Sequence, residues 1–438
     1  MRKARQITAR EFEFIVPKEL GRANCHAVEA SDFAALREFA LANREGESPL
    51  ELMRLCSPKG IGEAIQLQNY VGVVETKEGL QIEVLPKIDV APEAGINDRE
   101  VFARMLSELG TETSFKAFER AGLSTGAAPL FEVFVSMFLD EVTALVRRGV
   151  RSSYVDVESE ERFVRGKIDF AKEAKKGPGR AERMHLVHDE LLHDCPENRL
   201  MKSTLTLLQK SSREPANIRL AAQLVSAFDD VGHSLNVEAD LARCVADRST
   251  KSYGILIAWC RVFLRGESFT MFRGENIATA LLFPMERIFE DYVGKMLRRV
   301  ASKDASIRRV MLQAKGQWLF EGRRVSLRPD ILCECANGRQ VILDTKWKLV
   351  SGPKDLSAAD MHQMYAYGQR YRAEGEQMQH VVLLYPWHEG VVSGVMPTGR
   401  HVSSDGVQVD MFYFDLGNAR KSVDELLELV KRMAEVER

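Results

Sequence analysis

A chain of 438 residues, 45% hydrophobic and 28% charged, carries enough apolar material for two or three domains with real cores and has the composition of an ordinary soluble globular protein. Its 61 basic and 63 acidic residues leave a net charge of −2, which excludes a protein that coats nucleic acid by bulk electrostatics; a nucleic acid would have to be held locally or by a partner. No apolar run approaches the roughly 20 residues of a membrane-spanning helix, and MRKARQITAR has no apolar stretch behind its basic residues, so no membrane span, no secretion signal and a cytoplasmic location are expected.

In chain order, Glu11 to Val16 reads as a short strand, Asp32 to Ala42 and Leu50 to Cys56 as helices, and Ala64 to Glu75 as an alternating strand through Ile65, Leu67, Val71 and Val73. A turn at Lys77-Glu78-Gly79 leads into Leu80 to Ile88, where Leu80, Ile82 and Val84 alternate again. Together they predict a hairpin in a small β-rich N-terminal domain, residues 1–95. Residues 96–275 form a mainly helical middle region, with helices predicted at Asn97 to Leu109, Pro129 to Arg147, Pro196 to Gln209, Ala216 to Val231, Val237 to Ala246 and Tyr253 to Leu264. An extended piece, Ser152 to Phe170, interrupts them, and the Lys- and Gly-rich Lys172 to Arg180 reads as a linker or exposed loop.

Seven cysteines, an odd number scattered over the chain, argue against a disulfide framework; Cys333 and Cys335 read as small buried residues on the strand face opposite Asp330. His185, His188 and His193 stand beside Asp189, Glu190 and Asp194 at spacings that fit no tight ligand set, which predicts a solvated loop or helix end. No Gly-x-x-x-x-Gly-Lys-[Ser/Thr] occurs; the nearest phrase, Gly166-Lys167-Ile168-Asp169, lacks the leading glycine and the hydroxyl after lysine. Nucleotide hydrolysis, where it matters, belongs to another chain.

The C-terminal part, 276–438, carries the chemistry. Pro284 to Val300 predicts an amphipathic helix with Met285, Ile288, Phe289, Tyr292, Val293, Met296 and Leu297 on one face and Glu286 and Glu290 on its flank. Val325 to Leu327 and Ile331 to Cys335 enter one strand and Val341 to Leu343 a second, with Asn337-Gly338 joining them as an antiparallel pair. On the second strand, alternation puts Ile342, Asp344, Lys346 and Lys348 on one face and Leu343, Thr345 and Trp347 on the other, with Asp344 and Lys346 about 7 Å apart along the strand. Asp330, in Arg328-Pro329-Asp330, comes from the start of the partnering strand and can reach the same edge. Two converging carboxylates suit Mg²⁺, a hard cation that keeps several waters and binds phosphate oxygens, and Lys346 would position or help activate an attacking water. Asp360 to Arg372 predicts a helix with Gln363, Tyr367 and Tyr371 in one stripe; Val381 to Tyr385 and Met411 to Phe414 read as further strands. This is the order of groups in a PD-(D/E)xK nuclease, on a mixed sheet flanked by helices, within an α+β multidomain chain. Of the basic pairs, Arg323-Arg324 is the one expected to serve the site, because it shortly precedes Pro329-Asp330.

With these residues in view, the chain resembles the McrC family, the nuclease subunit of McrBC-type modification-dependent restriction systems, which act in phage defence. The resemblance rests on Phe289-Glu290, Leu327-Arg328-Pro329-Asp330, Leu343-Asp344-Thr345-Lys346-Trp347-Lys348 and Gln363-x-x-x-Tyr367. It extends through Arg165-Gly166-Lys167-Ile168-Asp169-Phe170, Pro196-Glu197-Asn198-Arg199-Leu200 and Ile82-Glu83-Val84-Leu85-Pro86-Lys87-Ile88. It implies catalytic roles for Asp330, Asp344 and Lys346, with Gln363 and Tyr367 beside them, and a cation, Mg²⁺ or Mn²⁺, held by Asp330, Asp344 and a helix glutamate. The phrase favours Glu290 for that glutamate, while Glu286 lies closer to the apolar stripe and stays a competitor. The resemblance also implies double-stranded DNA carrying modified cytosine as substrate and a McrB-like ring-forming GTPase as partner, engaged and stimulated by the N-terminal part. Two other functions fit the same residues: an assembly and stimulatory subunit with an idle nuclease fold, and a nuclease of this fold in another repair or defence system.

Overall fold

The computed structural model describes residues 5–42, 53–88, 97–109, 129–174, 183–244, 251–265, 277–320, 325–372, 379–395 and 399–435. The chain divides into two compact units, one made of residues 1–133 and 270–438, the other of residues 134–269.

The first unit begins with strands β1 (Arg5–Arg10), β2 (Phe14–Val16) and β3 (Cys25–Ala27) and helix α1 (Ala30–Ala42), then β4 (Met53–Cys56), β5 (Ala64–Leu67), β6 (Tyr70–Thr76), β7 (Leu80–Leu85) and helix α2 (Asp98–Leu109). Four strands form one sheet in the order β3-β2-β5-β4. A second sheet runs β1-β7-β6 and is completed by Ile277–Pro284, from much later in the chain. Both sheets and α1 pack on one core that includes Ile15, Phe33, Leu36, Phe39, Ile65, Val74, Ile82 and Leu282. The hairpin at Lys77-Glu78-Gly79 forms as expected, with Gly79 at φ +84°.

Three expectations need correction here. Met53–Cys56, expected as helix, pairs antiparallel with β5; Met53 and Leu55 alternate as well as they fit a helical stripe, and the neighbouring strand decides between the two. Of Glu11 to Val16, only Phe14–Val16 is strand, Glu11 and Phe12 making a turn in which Phe12 takes φ +69°. The run from Ala64 to Glu75 is two strands in two sheets, broken at Gln68-Asn69. Gly72 is obligatory in β6, since a Cβ on its φ +146° backbone would lie 1.9 Å from the Leu281 carbonyl oxygen on the adjoining strand.

The second unit holds most of helix α3 (Leu130–Arg148), strands β8 (Ser153–Glu161), β9 (Lys167–Ile168) and β10 (Met184–Leu192), and helices α4 (Pro196–Ser211), α5 (Pro215–Ser226), α6 (Val237–Arg243) and α7 (Lys251–Arg265). The helices match the periodicity, and the extended piece from Ser152 to Phe170 supplies β8 and β9, which β10 joins into a three-stranded sheet in the order β8-β10-β9. Most of the segment bearing His185 and His188 is not a loop but strand β10, paired along its whole length with β8. Leu186 and His188 are buried while Asp189 is exposed, so a histidine stands at an inward position where an apolar residue would have marked the strand. His185 pairs with Glu160 at 3.0 Å, and His193, just past the strand, with Asp230 at 2.7 Å. Rings of α3 and α7 pack edge to face, Phe138 on Phe263 at 5.6 Å. The Pro196-Glu197-Asn198-Arg199-Leu200 phrase ties the start of α4 to the one end of the β8–β10 pair where β8 begins and β10 finishes. Glu197 pairs with Arg151 at 2.7 Å, and the Asn198 amide donates to the Arg151 and His193 carbonyls at 2.9 and 2.7 Å. Of the Lys172 to Arg180 linker, residues 175–180 lie outside the described residues.

The first unit resumes at β11, the Ile277–Pro284 strand, and runs directly into α8 (Met285–Ala301), whose buried face contains every apolar position that periodicity assigned to it. A seven-stranded mixed sheet follows: β12 (Ile307–Leu312), β15 (Ile331–Cys335), β16 (Gln340–Thr345), β17 (Gln379–Pro386), β18 (Gly394–Val395), β19 (His401–Val402) and β20 (Val407–Phe414), with β13 (Gln317–Trp318) and β14 (Ser326–Leu327) pairing apart from it. Its order is β12-β15-β16-β17-β20-β18, β19 pairing off β20; β16, β17 and β20 run parallel and the rest antiparallel to their neighbours. Helix α9 (Ala358–Tyr371) makes the parallel crossover and buries Met364, Tyr367 and Tyr371 against Ile342, Val381, Leu383 and Val409. The opposite face is covered by α8 and α10 (Ala419–Glu435), with Phe289 of α8 against Phe414 of β20. Among the described residues, no helix is long and apolar enough to cross a membrane.

Asn198→Ala removes the donor shared by two carbonyls and is expected to destabilise the second unit by about 1–3 kcal/mol. Thermal unfolding followed by circular dichroism measures this, and an unchanged midpoint would contradict the role assigned to Asn198.

Candidate active site

Strands β15 and β16 pair as Ile331↔Leu343, Leu332↔Ile342, Cys333↔Val341 and Glu334↔Gln340. The loop joining them closes with Gly338 at φ +87°, as the Asn-Gly dipeptide predicted. One further step in the same register sets Asp330 opposite Asp344. Both carboxylates lie at the open end of the hairpin, where the charge of Asp330 acts on Asp344, an arrangement that packing alone disfavours because like charges across a ladder repel.

The surroundings hold these charges in place. Asp330 Oδ2 accepts from the Thr345 amide and hydroxyl, both at 2.7 Å, and Oδ1 from Gln313 Nε2 at 3.5 Å. Burial raises the Asp330 carboxyl, while the Thr345 hydrogen bonds and the charges of Lys346 and Arg328 act against the rise. Asp344 is only 1% exposed, and burial, then the Asp330 charge, pushes its carboxyl up to about 7 against the pull of Lys346. Lys346 Nζ stands 2.5 Å from Asp344 Oδ2. Burial draws the Lys346 ammonium down, but Asp344, its hydrogen bond and Asp330 outweigh it, so the net shift is upward and the lysine stays charged.

Strand β16 ends at Thr345, so the alternation predicted through Lys348 stops there. Asp344 and Lys346 nevertheless meet, because the Lys346 amide donates to the Leu384 carbonyl at 2.8 Å and prolongs the parallel ladder by one residue. Thr345 was expected to face away from the site; at the strand end its amide and hydroxyl both turn to Asp330 instead.

A one-way chain of donors continues from Lys346. Its Nζ donates to Gln363 Oε1 at 3.1 Å, Gln363 Nε2 donates to the Tyr367 hydroxyl at 2.8 Å, and that hydroxyl donates to the Arg328 carbonyl at 3.1 Å. The i, i+4 stripe on α9 thus fixes which way the Gln363 amide points and returns to the loop that presents Asp330. Next to it, Lys348 pairs with Asp360 at 2.8 Å, a contact with no signal in the sequence.

The two helix glutamates part company. Burial, followed by the charges of Asp330, Asp291 and Asp344, pushes the Glu290 carboxyl up to about 8, so Glu290 shares the field of the carboxylate pair. Glu286, one turn earlier, accepts from Asn69 Nδ2 at 3.2 Å and faces the N-terminal sheets. Arg323 and Arg324 lie outside the described residues.

As a cation site, this set offers hard oxygen donors whose charges crowd one another, the condition that a divalent ion relieves. Among the described residues, no group of three or more His, Cys, Asp and Glu side chains is placed to hold a metal ion. Asp330 and Asp344 are hard oxygen donors of the kind that Mg²⁺, which keeps several waters, takes one or two at a time.

The model of the family described as "McrBC 5-methylcytosine restriction system component" matches residues 65–386, more than half of the chain. No curated protein matches it. Among solved structures, a chain from the refined half-complex of the tetradecameric assembly of Thermococcus gammatolerans McrB AAA+ hexamers with bound McrC is 16% identical, with a TM-score of 0.68 over 98% of this chain and 100% of that one. The cryo-EM structure of the Thermococcus gammatolerans McrBC complex contains a chain 19% identical, with a TM-score of 0.48 over 67% of this chain and 87% of that one. The chain belongs to the family of McrBC 5-methylcytosine restriction system components, as its McrC-like phrases implied.

Proposed function

We propose that this chain is the metal-dependent DNA endonuclease subunit of a McrBC-like restriction complex, acting on double-stranded DNA that carries modified cytosine. The observation that carries the reading is the placement of Asp330 and Asp344, both with raised carboxyls, beside a charged Lys346 that is itself oriented through Gln363 and Tyr367. Asp330 and Asp344 would hold Mg²⁺ or Mn²⁺, with Glu290 as the third acidic group. The cation supplies positive charge for phosphate oxygens and acidifies a bound water. Thr345 keeps Asp330 aimed at the site, and Lys346 places a fixed positive charge where a phosphate or attacking water would sit. Gln363 and Tyr367 keep the lysine from swinging away.

The partner reading rests on two further observations. The chain has no phosphate-binding loop motif of its own, and its net charge of −2 is too low in basic residues for it to gather DNA unaided. A McrB-type ring of GTPase subunits would supply both functions, with residues 1 to about 270 docking on it and stimulating hydrolysis. The likeness to a chain of the McrB AAA+ hexamer assembly with bound McrC supports this assignment.

Full-length chain with its McrB-type partner, GTP, Mg²⁺ and methylated DNA tests the site. Asp344→Asn and Lys346→Met are each expected to lower cleavage at least 100-fold while partner GTP hydrolysis stays stimulated, the magnitude being that of lost transition-state charge stabilisation, on the order of 10²–10³. Cleavage at the parent rate would remove the assignment. Stimulated hydrolysis without cleavage by the unaltered chain would favour the idle-fold subunit instead.

The glutamate assignment has its own test. In a Mn²⁺ titration followed by electron paramagnetic resonance, Glu290→Gln is expected to weaken binding several-fold more than Glu286→Gln. Equal effects, or the reverse order, would reassign the third acidic group.

A further inference from the structure

Immediately after Lys346 the chain enters a buried polar cluster built mainly by the N-terminal part of the same unit. The Trp347 indole Nε1 donates to both carboxylate oxygens of Glu11 at 3.0 Å, although the two residues are 336 positions apart. Glu11 also accepts from the Lys87 amide at 3.0 Å. Lys87 Nζ donates to the Trp347 carbonyl at 2.9 Å and to Asn69 Oδ1 at 3.2 Å, and lies 4.3 Å from the centre of the Phe12 ring. Asn69 in turn donates to Glu286 on α8, the helix that also carries Glu290, and Phe289 of α8 packs on Trp347 with ring centres 5.4 Å apart. Glu11 and Trp347 are 4% and 2% exposed.

Stability alone is a poor account of such a cluster. Apolar residues of the same volume would do as well or better than a buried ionic group, whose desolvation offsets its attraction. Phe12 is held at φ +69°, a conformation that is unfavourable for a non-glycine residue and persists where its surroundings over-determine it. What the cluster does supply is direction: one N–H shared between both oxygens of a carboxylate fixes the indole, and the Lys87 ammonium fixes the carbonyl beside it. With the Lys346 amide bonded to Leu384 and the Lys348 amide to the Lys346 carbonyl at 2.9 Å, the backbone of 346–348 is clamped from the sheet on one side and from the N-terminal strands on the other.

We infer that Glu11 and Lys87 are positioning residues for Lys346, acting through Trp347, so that the seating of the N-terminal strands sets whether the carboxylate and lysine site is competent. The inference rests on the nuclease reading of that site. It gives the N-terminal part a direct route to the chemistry: a load that shifts the turn at Glu11-Phe12 or the segment at Lys87 that follows β7 moves the Trp347 ring, and the adjoining lysine with it.

Steady-state cleavage by the full chain with its partner, together with hydrogen–deuterium exchange of the full chain alone, tests the link. In Glu11→Ala and in Trp347→Phe, which keeps a ring but loses the indole donor, kcat is expected to fall roughly tenfold, within the 10²-fold that a misplacement of about 1 Å can cost, with KM for DNA unchanged. Glu11→Gln, which keeps an acceptor oxygen, recovers most of the rate, and the Glu11→Ala/Trp347→Phe double variant is no slower than either single one. In the exchange experiment the amides of 346–348 lose protection in Glu11→Ala while those of Ile331–Cys335 keep theirs. Parent-like kcat with parent-like protection at 346–348 would overturn the inference, and so would loss of protection throughout the unit, which marks Glu11 as merely structural. If the unaltered chain cuts no DNA, the nuclease reading falls, and the exchange result decides the link to 346–348 by itself.

Discussion

Asp330 and Asp344 bring two carboxylates to the open end of an antiparallel hairpin, in a setting that raises both, and the neighbouring residues are arranged around the cost of that charge. Left alone, the pair would protonate or push the strands apart, since buried like charges weaken one another's ionisation. Thr345 answers with two donors to Asp330, and Lys346 answers with a charge beside Asp344. Neither neutralises the site. A third acidic group, Glu290, adds to the load, so the field at the site favours a cation.

The order of the sheet explains why these groups meet. β16 lies between an antiparallel neighbour that delivers Asp330 and a parallel neighbour whose Leu384 carbonyl receives the Lys346 amide, so the acidic and basic halves of the site are set by two different strands. Helix α9 crosses from β16 to β17 and presents Gln363 and Tyr367 on the way, and its donor chain ends on the Arg328 carbonyl, back at the loop that carries Asp330. The site is thereby closed by hydrogen bonds from three elements. Through Trp347 it is also joined to Glu11 and Lys87, which lets residues far from the chemistry influence it.

Much of this was legible in the sequence because the signals are local. Period two placed Asp344 and Lys346 together, the i, i+4 spacing paired Gln363 with Tyr367, and the apolar stripe of α8 was read residue by residue. Where the sequence misled, a nearby partner or a strand end decided the outcome. Thr345 alternates away from the site by parity, yet the strand stops there and its amide is free to turn. Met53–Cys56 fits helix or strand by pattern, and β5 makes it a strand. Strand β10 carries too little apolar periodicity to be told from a loop, and Glu11 gave no sign of Trp347 because no local rule spans 336 positions.

As proposed, Asp330 and Asp344 together hold a divalent cation. Anomalous diffraction from crystals of the unaltered chain soaked in Mn²⁺ addresses it most directly. A manganese peak bonded to oxygens of both Asp330 and Asp344, at the side facing Glu290, is expected. A peak elsewhere, or none at Mn²⁺ concentrations that support cleavage, would contradict it.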